Sequence, residues 1–210
     1  MTTMSKPTLT YFDAPMSRGE ECRLALHLGG VDFVDKRLKR EEWAALKPTT
    51  PFGSLPLFEQ EGQPVLAQSN AILVLVGRRH GLHPKDDLEA ARHEAIMSYV
   101  EDLRGHVSPT LRIEDAAEKK AARERLASTY LPVWAVNVEK QIGTGPFFGG
   151  AAINVVDLKL HLVVRWLRSG ALDHVPATIF AEYPKLNRLN DAVADHERVK
   201  DWNARSAKAS

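Results

Sequence analysis

The feature that most constrains the fold is a change of character near residue 82. Before it, short β-prone runs alternate with helical ones. After it, helical patterns run almost to the end. Strands interleaved with helices build a layered α/β unit, and helices alone pack against one another. Alternation followed by a helical block therefore predicts two packed domains. We place the first at residues 8–81, a linker at residues 82–87 within "GLHPKDD", and an all-helical domain at residues 88–205.

The first half reads as β-α-β-α-β-β-α. Thr8–Phe12 is β-branched and aromatic, a strand. Cys22, Ala25, Leu26 and Gly29 recur at helical spacing, and Gly29-Gly30 close that helix. Val31–Leu38 holds a second strand with Phe33 and Val34 as its apolar part, and Glu41–Lys47 is a short helix stopped by Pro48. "SLPLFEQEGQPVLAQ" reads as a hairpin turning at Glu61-Gly62. Ala71–Val76 is apolar on every side, which suits a buried helix or a buried strand. We read a helix, with Ser69 or Asn70 as its cap and Gly81 as its end.

In the second half, Ile96, Tyr99, Val100, Leu103 and Val107 form a helical stripe. Ala116–Gln141 reads as one long helix with Pro132 as its candidate break, and "GTGPFFGG" as a loop. Asn154 with Asp157 forms a capping pattern, with Ile153 placed to staple onto Leu158. The helix that follows is apolar nearly all round and predicted central. A last helix spans about Tyr183 to Trp202, with Leu186, Leu189 and Val193 inward.

Composition closes several options. With 44% hydrophobic and 26% charged residues, the chain is an ordinary globular one. A net charge of +1 gives no strong field for nucleic acid or an anionic membrane, and no apolar run is long enough to span a bilayer. Met1 to Pro7 reads as a tail, not a signal peptide. The single cysteine rules out an internal disulfide, in keeping with a reducing cytoplasm. The eight histidines show no metal-ligand spacing, so no metal is expected. His161 reads as a satisfied core residue.

A thioredoxin-like unit commonly carries a nucleophilic cysteine after its first strand, where a helix N-terminus stabilises the thiolate. This chain has none there. Cys22 lies inside the helix on its apolar stripe and reads as a small hydrophobe. Any thiol chemistry must then use a thiol carried by a ligand. A donated O–H, a nearby cation and a helix N-terminus each favour a thiolate. Tyr11 and Arg18 stand where they can supply the first two. From the residues alone, Tyr11 reads more readily as a packing residue at a strand end.

Motifs along the chain extend this. "LTYF" is followed by an arginine and by Glu20 and Arg23 in an E-x-x-R pattern. "EEWAALKPTTPFGSLPLFEQEGQPVLAQSNAI" carries "KP-T-PFG--P" and "QS-AI"; "N-V-V-D-L" and "YPKLNRLNDAV" follow later. Over nearly its whole length the chain resembles the cytosolic glutathione transferases, most of all their sigma-type branch. That resemblance implies a thioredoxin-like α/β N-terminal domain plus an all-α C-terminal domain. It implies glutathione as co-substrate, an electrophilic and mostly hydrophobic second substrate, a homodimer and a cytoplasmic, detoxifying role.

Residue by residue, the resemblance implies that Tyr11 donates its hydroxyl to the glutathione sulfur and that Arg18 supports it. Phe12, Trp43, Lys47, Ser54, Leu55, Pro56, Gln68 and Ser69 bind the tripeptide. Trp43 and Lys47 take its glycine end, the Leu55 backbone its cysteinyl part, and Gln68 with Ser69 its γ-glutamyl carboxylate. Pro56 is implied to be cis. Glu94 is matched to an acidic group offered to the γ-glutamyl amine across the dimer, although Glu94 and Glu101 also read as a solvated helix face. Trp43 also reads as core cover, Lys47 as a solvated charge and Ser69 as an N-cap. Phe52 either packs locally or reaches across the dimer.

The second-substrate pocket is expected to use Pro15, Met16, Arg104, Ser108, Arg112 and Trp202, the arginines suiting a polar or anionic group. Two departures stand out. The loop "DAPMS" is one residue longer than the sigma pattern, and Pro109 falls where an aromatic residue is usual, which argues against a prostaglandin-synthase-like activity. Glutathione-dependent isomerisation or peroxide reduction, and non-catalytic binding, are the rival readings.

Overall fold

The computed structural model describes residues 5–209, so the first four residues of the expected N-terminal tail lie outside the described residues. The chain divides into two compact units: residues up to 85 together with those from 197 onward, and residues 86–196.

The first unit contains β1 (Thr8–Phe12), α1 (Arg18–Leu28), β2 (Val34–Leu38), α2 (Arg40–Leu46), β3 (Leu57–Glu59), β4 (Leu66–Ala67) and α3 (Ser69–His80). This is the expected thioredoxin-like order. The sheet runs β2-β1-β3-β4. Parallel pairing of β1 with β2 needs a crossover, which α1 supplies. β3 pairs antiparallel with both β1 and β4. The β3–β4 turn forms as expected, with Gly62 at φ 71° and the Gln63 N–H donating to the Gln60 carbonyl.

α1 is the packing hub, against β1 and α3. Cys22, Leu24, Ala25 and Leu26 are buried to 1% exposure or less, so the lone thiol is indeed core. Val34, on the edge strand β2, is 48% exposed. One expectation is corrected here. Neither Ser69 nor Asn70 is the cap of α3: Gln68 holds that position with φ 73°, turning β4 directly into the helix so that Ser69 already has helical backbone. Gly81 ends α3 in the left-handed conformation, its N–H on the Gly77 carbonyl.

The second unit holds α4 (Asp87–Val107), α5 (Ala116–Arg125), α6 (Leu131–Gln141), α7 (Val155–Arg168) and α8 (Pro184–Asp195). α5 and α6 are joined by a π-helical turn, Leu126–Tyr130, where the Leu131 N–H reaches back to the Leu126 carbonyl. The widened turn sits just ahead of Pro132, which has no N–H to continue the regular ladder. At the start of α7, Asp157 accepts the Asn154 N–H and the Phe148 N–H, each at 2.7 Å, and so ties the Gly-rich loop to the helix. α7 is central as predicted, with Leu158, Leu160, Leu162, Val163 and Val164 all fully buried.

The expected single helix from Tyr183 to Trp202 is two helices. His196 takes an extended backbone (ψ 128°), ending α8; α9 (Glu197–Ala209) then begins. α9 packs on α1, so the C-terminal helix belongs to the first unit, where the sequence reading gave all of residues 88–205 to the helical domain.

His161, 3% exposed on α7, accounts for itself through Asn190: its Nδ1 lies 2.9 Å from Asn190 Oδ1 and 3.2 Å from the Asn190 carbonyl, so Nδ1 carries the proton. Burial lowers its pKa to about 4. An unfolded histidine titrates near 6.5, so between these values the unfolded chain binds more protons, and this contribution to stability is lost as pH falls below 6.5. Asp157, raised by burial to about 7, acts with the opposite slope over the same range. The difference in unfolding free energy between wild type and His161→Gln should therefore grow by roughly 3 kcal/mol from pH 4 to pH 7. Urea titrations across that range measure it, and a flat difference rules out the histidine as the source.

Candidate active site

Strand register gathers the predicted residues of the first unit. Thr10 pairs with Leu57, and Leu57 with Ala67. One step further along each strand brings Tyr11, Pro56 and Gln68 into a row at one edge of the sheet. Their neighbours Phe12, Leu55 and Ser69 extend it. The Leu55–Pro56 bond is cis, as the resemblance implied.

Tyr11 is half-buried and lies directly on the first turn of α1. A methyl group built on Gly19 would stand 2.3 Å from Tyr11 Cγ and Cδ1. No side chain fits at residue 19 while the ring stays there. Tyr11 meets Phe12 edge-on at 5.7 Å, and Phe12 meets Trp43 edge-on at 6.1 Å. Phe12 and Trp43 also line a depression of about 690 Å³ with Asp13, Leu38 and Lys39. Trp43 is half-buried, so it is only in part core cover. Lys47 is exposed, and its stem runs beside the Gly53 turn, where an added Cβ would be 3.6 Å from Lys47 Cε.

Gln68 has φ 73° and ψ 117°, a conformation that costs a non-glycine residue about 1–3 kcal/mol and that persists where its surroundings hold it. It places Ser69, 3% exposed, as the first residue of α3. Helix N–H groups and the positive end of the dipole meet there, a setting suited to a carboxylate.

The longer first loop is absorbed locally. The Ser17 hydroxyl donates to the Ala14 carbonyl at 2.7 Å, and Arg18 opens α1 one residue before the glycine that carries Tyr11. Pro15 is exposed and Met16 half-buried in that loop.

Beneath the loop lies a charge network that motif reading noted only as E-x-x-R. Arg23 is fully buried and donates to Asp35 at 2.8 Å, to Glu20 at 3.2 Å and to the Phe12 carbonyl at 3.1 Å. Asp35 also accepts from Arg37 at 2.8 Å, and Arg37 reaches Asp13. Removing one partner from a buried ion pair of this kind costs about 3–5 kcal/mol. The i,i+3 spacing of Glu20 and Arg23 was the available signal; the hold of Arg23 on the Phe12 carbonyl was not.

The remaining predicted residues sit elsewhere. Trp202, on α9, donates its indole N–H to Glu20 and packs near His27 and Phe33, at 5.4 and 6.2 Å between rings. Glu94 is half-buried midway along α4. Arg104, expected to face a substrate, is 5% exposed and donates to Glu101 at 2.9 Å. Glu101, expected to be solvated, also binds the fully buried Lys159 of α7. Ser108 and Arg112 bound a 3₁₀ turn after α4, Arg112 exposed. Phe52 is 67% exposed. Among the described residues there is no group of three or more His, Cys, Asp or Glu placed to hold a metal, and no helix long and apolar enough to cross a membrane.

A sheet edge with a cis-proline, beside a tyrosine and a helix N-terminus, defines a thioredoxin-like unit. Known proteins agree. The family model described as glutathione S-transferase, N-terminal domain, matches residues 7–77, and that for the C-terminal domain matches residues 101–206. Glutathione S-transferase 1 of Ascaris suum is 44% identical over 125 residues, 58% of this chain and 60% of that relative's length. Probable glutathione S-transferase 8 of Caenorhabditis elegans is 31% identical over 92% of this chain and 93% of its own. The crystal structure of the glutathione S-transferase from Ascaris lumbricoides superposes with a TM-score of 0.77 at 33% identity, covering 96% of this chain and 98% of that one. The chain belongs to the glutathione S-transferase family.

The Gly19 contact yields a direct check. Gly19→Ala is expected to lower the unfolding free energy by about 1–3 kcal/mol, as overpacking does. A denaturant midpoint equal to that of wild type would mean that the Tyr11 ring is not held against α1.

Proposed function

We propose that this glutathione transferase activates the thiol of glutathione with Tyr11, whose hydroxyl donates to the sulfur and stabilises the thiolate. Arg18 and the N-terminus of α1 add positive potential. Phe12, Trp43, Lys47 and Ser54 border the tripeptide, and the Leu55 backbone, next to Pro56, pairs with its cysteinyl part. Gln68, Ser69 and the N-terminus of α3 take the γ-glutamyl carboxylate, while Glu94 of the partner subunit meets the γ-glutamyl amine in a homodimer. The observation that carries this reading is the row of Tyr11, Pro56 and Gln68 at one sheet edge, continued by Ser69 at a helix N-terminus.

A free thiol has a pKa of about 8.5 and is only a few per cent thiolate at pH 7. Lowering it by about two units takes about 2.7 kcal/mol, within reach of one charge-assisted hydrogen bond plus a helix-end contribution. The thiolate then attacks an electrophilic carbon. The new S–C bond forms as the leaving group departs with its electron pair, or as the pair moves into an acceptor conjugated to that carbon. The second substrate is apolar or mixed. The enzyme works in the cytoplasm, where reduced glutathione is abundant.

Tyr11→Phe should raise the pKa of bound glutathione by about two units and cut kcat/KM with a halonitroarene by about 10- to 100-fold at pH 6.5. Ultraviolet titration of the thiolate and steady-state kinetics read both. Ser69→Ala should instead act on KM for glutathione. A wild-type protein that binds glutathione but conjugates nothing would assign it to binding, and an unchanged thiol titration in Tyr11→Phe would remove Tyr11 from the chemistry.

A further inference from the structure

We infer that the C-terminal helix is part of the catalytic apparatus: Trp202, Glu20 and Arg23 form a relay that positions Tyr11 from behind. The inference rests on the reading of Tyr11 given above.

The relay is continuous. The Trp202 indole N–H donates to Glu20 Oε1. The other oxygen of the same carboxylate, Oε2, accepts from Arg23 Nη1 at 3.2 Å. Arg23 Nη2 donates to the carbonyl of Phe12 at 3.1 Å, one residue past Tyr11, and its Nε holds Asp35 at 2.8 Å. Both carboxylate oxygens of Glu20 are thus used, one toward α9 and one toward the loop. The guanidinium is fully buried, so a change at any partner must be taken up by the others, not by water.

Tyr11 is bounded on both sides by this arrangement. Its ring rests on Gly19, the residue before Glu20, and its chain leaves through the carbonyl that Arg23 holds. A shift of the first turn of α1 therefore moves the ring and its anchor together. α9 is fixed to α1 at two further points. Arg198 donates to the Leu28 carbonyl at 2.8 Å, and Asp201 lies 3.1 Å from His27 Nε2. Trp202 carries the bond from α9 into the relay. It is a positioning residue, because the proposal gives it no contact with the sulfur. It acts on how well the hydroxyl is aimed, which governs the thiolate more than the tripeptide's affinity.

Trp202→Phe keeps an aromatic ring beside Phe33 and His27 and removes only the N–H. It should raise the pKa of bound glutathione by about half a unit or more and lower kcat/KM at pH 6.5 about three- to tenfold. Affinity for S-methylglutathione, which has no thiol to ionise, should stay within about twofold, since its contacts lie on the other side of Tyr11. Glu20→Gln, which keeps the side-chain shape, should shift the thiol in the same direction. It serves as the second variant should Trp202→Phe fold poorly. A relay variant that titrates like wild type, while Tyr11→Phe still raises the thiol pKa, overturns the relay and leaves the proposed function standing. If Tyr11→Phe leaves the titration unchanged as well, the assignment of Tyr11 fails and the relay with it. Weaker S-methylglutathione binding in parallel with lower activity would assign Trp202 to packing alone, and would also overturn the proposal.

Discussion

The buried guanidinium of Arg23 is the constraint on which the first unit depends. A fixed positive charge with no exposure must have every donor satisfied inside the protein, because water cannot substitute. Its partners come from four places: the end of β1, the first turn of α1, the edge strand β2 and, through Glu20, the C-terminal helix. Meeting those demands at once sets the height of α1 over the sheet. That in turn fixes how closely Gly19 approaches Tyr11. The edge strand gains as well, since Asp35 and Arg37 extend the same network along an otherwise exposed border.

Around that centre, the site is assembled by register. β1, β3 and β4 are short; β1 and β4 end, and β3 begins, at the same edge. Backbone groups released from the ladder there are free to face a ligand, whereas helix N-termini bring partial positive charge to the same border. The proposed thiolate and γ-glutamyl sites therefore follow from where the strands stop.

Local chemistry made much of this legible in advance. The strand Thr8–Phe12, the hairpin at Glu61-Gly62, the left-handed end of α3 at Gly81 and the Asp157 cap each depend on a few adjacent residues. Elements decided by distant contacts were not legible. Gln68 carries no sign of its positive φ, because the conformation is imposed where β4 meets α3. His196 breaks the last helical stretch without a proline or glycine at that position. Lys159 falls in a helix read as apolar nearly all round, so its partner Glu101 looked like part of a solvated face. At the site, motif resemblance supplied the residues, and only the fold supplied the contact between Gly19 and Tyr11.

The placement of α9 also bears on the order in which the molecule is made. Trp202 and Glu20 are 182 residues apart in sequence yet bonded in one unit. On the ribosome, where chains emerge N-terminus first, the sheet and α1 are synthesised early. The helix that closes their charge network follows the helical unit in the chain and is synthesised after it. The intervening helical unit, residues 86–196, has its own core and is contiguous, so all its parts leave the ribosome before the first unit has all of its own. Of the two units, the one with the earlier residues is the one whose set of contacts is completed later.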